Sequence, residues 1–237
     1  MAGTDTKHRH MRRMFDAVAP RYDLLNRLLS LGIDRHWRRC AVRQLRLPDR
    51  GLALDAASGT GDVALEMARQ TPPALHVVGT DLSEQMLVQG RLKILGGPSA
   101  KRISLVAAAC ESLPLPDNLF DGAVIAFGIR NVADRPAALG ELLRTLRPGA
   151  RLVVLEFSEP PNPLFRILYH GYFRWLLPLI GGFFSEPGAY RYLPASVRDF
   201  PSRDDFKALL ETAGFVSVAH RDLTCGIVTL YFAVCPE

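Results

Sequence analysis

Leu54-Asp55-Ala56-Ala57-Ser58-Gly59-Thr60-Gly61-Asp62 is the stretch that decides how this chain folds. The apolar residues leading into it, 52–56, read as a strand, and residues 62–70 read as a helix. A glycine-rich turn between them lets a ligand touch the backbone and aims a helix N-terminus at it. A second apolar run, Val77-Val78-Gly79-Thr80, ends at Asp81. An acidic side chain there is placed to accept hydrogen bonds from ribose hydroxyls. Together the turn and the acid predict a nucleoside-containing cofactor.

Gly59-x-Gly61-x-x-Ala64 also fits the dinucleotide fingerprint, so a nicotinamide cofactor is the first rival. A bare strand-to-helix turn would explain the glycines but not the spaced acid. Asp55, beside the turn, suits a cationic ligand such as the aminoacyl sulfonium of S-adenosylmethionine (SAM). A pyrophosphate would favour a turn without that charge.

Outside the turn, strand and helix alternate. Strands are expected at 52–56, 76–80, 103–107, 122–127 and 152–157, with helices at 62–70, 83–95 and 136–146. Arg147-Pro148-Gly149 is expected to turn into the fifth strand. That alternation predicts a parallel sheet covered by helices on both faces. A helix at 203–213 precedes two apolar runs, 215–219 and 227–234, joined by a short link, which read as an antiparallel pair at the sheet edge. The predicted fold is therefore α/β, a seven-stranded, mostly parallel sheet with an antiparallel C-terminal hairpin. This is the layout of class I SAM-dependent methyltransferases rather than of dehydrogenases.

The reading divides the chain into a helical N-terminal cap, 1–47, and a SAM-binding domain, 48–237. Two helices are expected within 11–46, interrupted at Pro20 and punctuated by Gly32. An insertion at 160–201 follows the fifth strand. Its residues 163–184 are unusually aromatic and apolar, interrupted by Arg166, His170 and Arg174. The charge-free stretch 175–185 is too short to span a bilayer. Core packing accounts for some of these side chains, and a greasy substrate tunnel or an interfacial helix for the remainder.

Composition sets outer bounds. The 237 residues, 48% hydrophobic, suffice for one α/β domain with a substantial core. Cys40, Cys110, Cys225 and Cys235 form no metal-ligand spacing and read as reduced thiols in a cytoplasmic protein; no metal is expected. The start lacks a signal-peptide apolar region, and its His8 and His10 read as part of a disordered polar leader. Residues 1–50 carry a net charge of +7 and the remainder −2. Such a segment meets RNA, an anionic membrane or water. No RNP or KH pattern is present, and Glu159-Pro160-Pro161-Asn162 only superficially resembles a base N-methylation motif, so nucleic acid is not expected as a partner.

Longer motifs narrow the reading. Met14-Phe15-Asp16-Ala17-Val18-Ala19-Pro20-Arg21-Tyr22-Asp23, Leu31-Gly32-Ile33-Asp34-Arg35, Phe127-Gly128-Ile129-Arg130-Asn131-Val132, Leu155-Glu156-Phe157-Ser158 and Tyr190-Arg191-Tyr192-Leu193-Pro194 occur in order. In these the chain resembles the C-methyltransferases of menaquinone and ubiquinone biosynthesis, over most of its length. The resemblance implies methyl transfer from SAM to a ring carbon of a polyprenyl quinol. Leu177-Pro178-Leu179-Ile180-Gly181-Gly182 is more similar to the menaquinone branch, so demethylmenaquinol is the expected substrate and the methoxy-polyprenyl benzoquinol of ubiquinone synthesis the alternative. A protein resting on the inner face of the membrane, touching anionic lipid, fits this substrate, and a homo-oligomer is compatible with it. A silent scaffold fits less well, because the turn, Asp81, Arg130 and Asn131 are all in place.

The resemblance implies roles residue by residue. Tyr22 and Asp16 lie in the segment expected to close over SAM, and Asp16 is also a substrate candidate. Asp55, Gly59, Thr60 and Gly61 would meet the amino-acid part. Asp81 would take the ribose hydroxyls, with Leu82 and Met86 near adenine. Where related enzymes often carry Asp or Asn beside adenine, this chain has Ala109 before Cys110, and Ala126 stands where Ser is frequent. Adenine contacts would then come from the backbone around Ala109 and Cys110. Arg130 and Asn131 are the catalytic candidates. A ring carbon attacks a sulfonium methyl only when an ortho phenolate enriches the ring, and a guanidinium would stabilise that phenolate or hold a water. Arginine itself stays protonated and is a poor base. His170 and Tyr192 are further substrate-side candidates for proton relay.

Overall fold

The computed structural model describes residues 2–172 and 187–237, the side chains of 2–4, 170 and 187–191 excepted. Three helices open the chain: α1 (Ala2–Val18), α2 (Tyr22–Ser30) and α3 (Asp34–Leu45). The leader expected to be disordered is therefore the first part of a helix, and the two expected helices are three. The physical reason is tertiary. Met11 is buried, and His8 and Lys7 reach partners more than a hundred positions away, contacts that periodicity cannot reveal. Pro20 acts as anticipated: α1 gives way there to a single 3-10 turn, Ala19–Arg21.

The seven strands are β1 (Gly51–Ala56), β2 (Leu75–Asp81), β3 (Ile103–Ala107), β4 (Phe120–Ala126), β5 (Leu146–Phe157), β6 (Val216–Leu223) and β7 (Val228–Val234). Their spatial order is β3-β2-β1-β4-β5-β7-β6. The first five pair in parallel, and β7 lies antiparallel between β5 and the edge strand β6. The alternation read from sequence is thus the observed architecture. One boundary differs. Strand β5 runs on through Arg147-Pro148-Gly149, where a turn was expected, but its register with β4 jumps there, from Phe120 facing Leu146 to Gly122 facing Arg151. Gly149 takes φ +76° while its N–H still donates to the Cys235 carbonyl at 3.0 Å, so the chain bends within the ladder.

Helices α4 (Asp62–Gln70), α5 (Glu84–Leu95) and α6 (Arg135–Thr145) cross between the parallel strands. Their starts follow local chemistry. The Ser83 hydroxyl accepts from the Met86 N–H at 3.1 Å, and the Asp134 carboxylate accepts from the Ala137 N–H at 3.0 Å. After β5 come α7 (Pro163–Gly171), α8 (Pro187–Arg198) and α9 (Arg203–Thr212). Asn162 caps α7 and Ser202 caps α9.

Consecutive strand residues serve opposite faces, as the pleat requires. Leu54 joins Phe120, Ile125, Leu139, Leu142, Phe206 and Tyr231 on one side. Ala53 joins Trp37, Val42, Met67, Val77 and Leu155 on the other. Both layers are closed to solvent, which leaves the C-terminal ends of the parallel strands for a ligand. No helix among the described residues is long and apolar enough to cross a membrane. The charge-free stretch 175–185 and the His170 side chain lie outside the described residues.

Candidate active site

The site begins where β1 ends. Asp55 is 1% exposed, and its Oδ2 accepts from the Ser58 hydroxyl at 2.8 Å and the Ala64 N–H at 2.9 Å. Burial pushes its carboxyl up to about 7, with those two hydrogen bonds opposing the rise. Gly59 and Gly61 carry φ of +56° and +77°, backbone that a side chain would strain. Asp81, at the end of β2, straps the turn: its Oδ2 accepts from the Gly59 N–H at 2.8 Å and its Oδ1 from the Ser83 N–H at 2.8 Å. Burial pushes this second carboxyl up to about 6, opposed by backbone donors at Ser83, Gly59 and Leu82.

Three cavities open around this turn. One is walled by Gly59, Asp81, Leu82, Met86, Ala109, Cys110 and Ala126, with Met11 and Phe15 of α1 across from them and Asn131 at one side. A smaller polar one is walled by Asp55, Ser58, Thr60, Asp62 and Arg38. The third, about 890 Å³ counted to its mouth, is lined by Phe15, Leu25, Leu29, Trp37, Phe157, Arg130 and Tyr192 among others. Tyr22 and Phe127 belong to the walls of all three. A further apolar hollow, between the α2–α3 turn and α7, shares Leu29, Ser30, Trp37 and Phe157 with the third. Gly128 is needed for close approach, since a Cβ there would sit 2.6 Å from that of Ala57.

The N-terminal helices are fastened over these cavities by polar contacts. Asp16 accepts from the Ser83 hydroxyl at 2.6 Å, so it sits at the Asp81 end and lines none of the described cavities. Arg12 pairs with Glu84 at 2.7 Å, and His8 meets Glu111 at 2.9 Å. Asp23 accepts from the Thr60 hydroxyl at 2.5 Å and from Lys93 at 2.6 Å, and Lys93 also reaches Asp62. The Thr60 hydroxyl is therefore engaged in bracing α2. Gly61 lines no described cavity and contributes the turn itself.

Arg130 stands just past β4 in a short 3-10 turn, Ile129–Asn131, and is 8% exposed. Its Nη1 donates to Glu156 Oε1 at 2.5 Å and to the Phe127 carbonyl at 2.6 Å. Among the described residues its buried Nε has no hydrogen-bond partner. Asn131 Oδ1 accepts from the Tyr192 hydroxyl at 2.9 Å. Burial raises the Tyr192 phenol above its usual range, which keeps it a donor. Sequence reading did not single out Arg38, Asp23, Lys93, Phe127, Glu156 or Phe157 as site residues. The polar Glu156 within the run Leu152-Val153-Val154-Leu155 was the one local signal that could have marked it. Among the described residues no cluster of three or more His, Cys, Asp or Glu is placed to hold a metal.

A parallel sheet with a terminal antiparallel pair and a glycine turn strapped by an acid is the SAM-dependent methyltransferase architecture. A methyltransferase of Aquifex aeolicus described as SAM-dependent superposes with a TM-score of 0.61 at 18% identity, covering 84% of this chain and 89% of that one. The ubiE/COQ5 methyltransferase family profile matches residues 3–235, and the chain belongs to that family. A Geobacter sulfurreducens relative, the ubiquinone/menaquinone biosynthesis C-methyltransferase UbiE, is 56% identical over 225 residues, 95% of this chain and 88% of its own length. The Thermus thermophilus demethylmenaquinone methyltransferase is 48% identical over 221 residues, 92% of this chain and 98% of its own. The chain is thus a SAM-dependent methyltransferase, and the cavities fit the cofactor. A polar cavity with two acids and Arg38 suits a group carrying both an ammonium and a carboxylate, and the small residues Ala109 and Ala126 leave room beside it.

Proposed function

We propose that this enzyme C-methylates the ring of a polyprenyl quinol, converting demethylmenaquinol to menaquinol. One observation carries the reading: the cofactor cavities and a large apolar cavity meet at Tyr22 and Phe127, with the Arg130 guanidinium in the apolar wall. The printed activities of the relatives are its second support. The benzoquinol precursor of ubiquinone is the alternative, favoured by the double name of the Geobacter relative.

In this reading residues 1–47 form a cap over the SAM domain, 48–237. Asp81 takes the ribose hydroxyls, Leu82 and Met86 flank adenine, and backbone groups at Ala109 and Cys110 recognise its edge beside Ala126. Asp55 and Gly59 face the amino-acid part, and Thr60 and Gly61 hold the turn. When bound, SAM supplies an electrophilic sulfonium methyl. The chain's own residues hold the quinol ring between Phe127, Phe157 and Trp37, and place its ionised hydroxyl against Arg130. Asn131, held by Tyr192, orients the quinol oxygen. The shared apolar hollow takes the start of the isoprenoid tail. Exposed Leu164, Ile167 and Leu168 on α7 turn that side toward an anionic bilayer surface.

The test incubates the protein with SAM and two reduced short-tail quinols, the naphthoquinol and the methoxy benzoquinol, presented in anionic liposomes. Mass spectrometry is expected to show one added methyl on the naphthoquinol, and the protein is expected to pellet with the vesicles at low salt. Methylation of neither quinol, with SAM binding intact, would reject the reading. Absence from the pellet would remove the membrane part alone.

The raised carboxyls give a pH dependence of known sign. Asp55 and Asp81 hold protons up to about 7 and about 6 in the fold, whereas an unfolded chain releases them near 4. Their contribution to stability is present at low pH and is lost as pH rises through these values. A bound cation favours the ionised forms, so SAM affinity runs the other way. Titration calorimetry should find binding at pH 5.5 at least about tenfold weaker than at pH 8. A flat profile would show that neither carboxylate meets the ligand's charge.

A further inference from the structure

We infer that Glu156 is a positioning residue for this methylation: it fixes the Arg130 guanidinium and tempers its charge, so that the ring beneath stays nucleophilic at carbon. The inference rests on the quinol reading above.

Glu156 is 0% exposed, near the end of a strand whose neighbouring residues are apolar. Among the described residues, the hydrogen bonds it accepts come from one corner of the site: Arg130 Nη1 at 2.5 Å, the Arg130 N–H at 3.2 Å and the Phe157 N–H at 2.9 Å. It lines none of the described cavities, whereas Arg130 and Phe157 line the apolar one. A buried carboxylate is costly to desolvate, and a hydrophobic side chain would fill the same space without that cost. Its charge has a use through Arg130. Two acceptors, Glu156 and the Phe127 carbonyl, hold Nη1, so the guanidinium cannot swing. Its carbon stays 5.4 Å from the centre of the Phe157 ring. The buried Nε is left as a donor for a ligand.

The charge matters as much as the placement. A guanidinium without a counter-ion would favour the phenolate strongly but draw its electron pair toward oxygen, away from the ring carbon that must attack. Paired with Glu156, the group donates a hydrogen bond from a nearly neutral unit. The other titratable groups around it are Arg135, whose Nη2 donates to the Arg130 carbonyl at 3.2 Å, and Arg38, Tyr22, Tyr169 and Tyr192. The Glu156 charge also acts on Arg135, Tyr169 and Tyr192, so a variant in which Arg130 is already replaced is needed to separate its effect through Arg130 from its field on those groups.

The test reads phenol ionisation apart from turnover. A nitrophenol, whose phenolate absorbs visible light, is bound to the full-length protein and titrated. Glu156→Gln is expected to lower the bound phenol's pKa by about one unit, because the unpaired cation favours the anion. At a pH above both values turnover should fall about tenfold, with SAM affinity within about twofold of wild type. Glu156→Asp keeps the charge and should restore the wild-type phenol pKa, which serves if the Gln variant folds poorly. In an Arg130→Gln background, Glu156→Gln should cause no further loss. Unchanged phenol pKa values with additive losses would overturn the inference and leave Glu156 a structural residue. A wild-type protein that binds SAM but no phenol would overturn the quinol reading itself, an outcome visible before any variant is made.

Discussion

Asp81→Ala weakens SAM binding about a hundredfold. The carboxylate sits at the end of β2 and is already oriented by the Gly59 and Ser83 N–H groups, so it presents its remaining lone pairs without further ordering. Two ribose hydroxyls donating to a carboxylate are each worth roughly 1.5–3 kcal/mol, and water recovers part of that on truncation. A net loss of about 2.7 kcal/mol is a factor of about a hundred. The substitution also cuts the strap on the glycine turn. Asp81→Asn separates these effects, since an amide oxygen can still accept from one of the two N–H groups but carries no charge. It should lose less than the alanine variant. Calorimetric titration decides the matter, with thermal unfolding of the unliganded proteins confirming that the fold survives. Unchanged affinity in Asp81→Ala would remove this residue from the cofactor site.

Arg130→Ala lowers turnover by about 10²–10³ and leaves SAM affinity within about threefold. The expected asymmetry follows from placement: Arg130 lines the apolar cavity and neither of the two cavities proposed for SAM. The factor is that of removing a fixed guanidinium donor, itself 8% exposed, from the wall of a largely apolar cavity, where electrostatic contacts weigh more than in bulk. Alanine also leaves Glu156 buried without its cation, a cost to the fold that thermal unfolding of the variant would register. Arg130→Lys keeps the charge but loses the planar fork, and should recover part of the rate. Saturating both substrates separates kcat from binding. Equal turnover in wild type and Arg130→Ala would take Arg130 out of the mechanism.

Much of the fold was legible in the chain because it is written locally. Strand, glycine turn and helix follow one another from Gly51 to Gln70, and the acid at Asp81 closes the motif within reach of a sequence window. The three-helix start was less legible. α1 is polar along much of its length and is fastened by contacts such as His8 with Glu111, 103 positions apart. The same holds for Thr60, which reads as a ligand contact beside the turn. Its hydroxyl is occupied by Asp23, 37 positions earlier, in a cap whose placement no local pattern encodes.

By itself, then, the sequence determined the alternation of elements, the cofactor turn with its spaced acid, and the positions of Arg130 and Asn131 beyond a strand end. Hydrophobic period and turn chemistry act over a few residues and need no fold to be read. Only the tertiary structure decided which side chains meet. Strand order 3-2-1-4-5-7-6 brings β4 beside β5 and so puts Arg130 on Glu156, 26 positions away. Packing of α8 sets Tyr192 on Asn131, 61 positions away. Closure of α2 makes Tyr22 a wall common to the cavities. Those contacts depend on long-range pairing and burial, which fix the charge state and direction of a group only once the chain has closed around it.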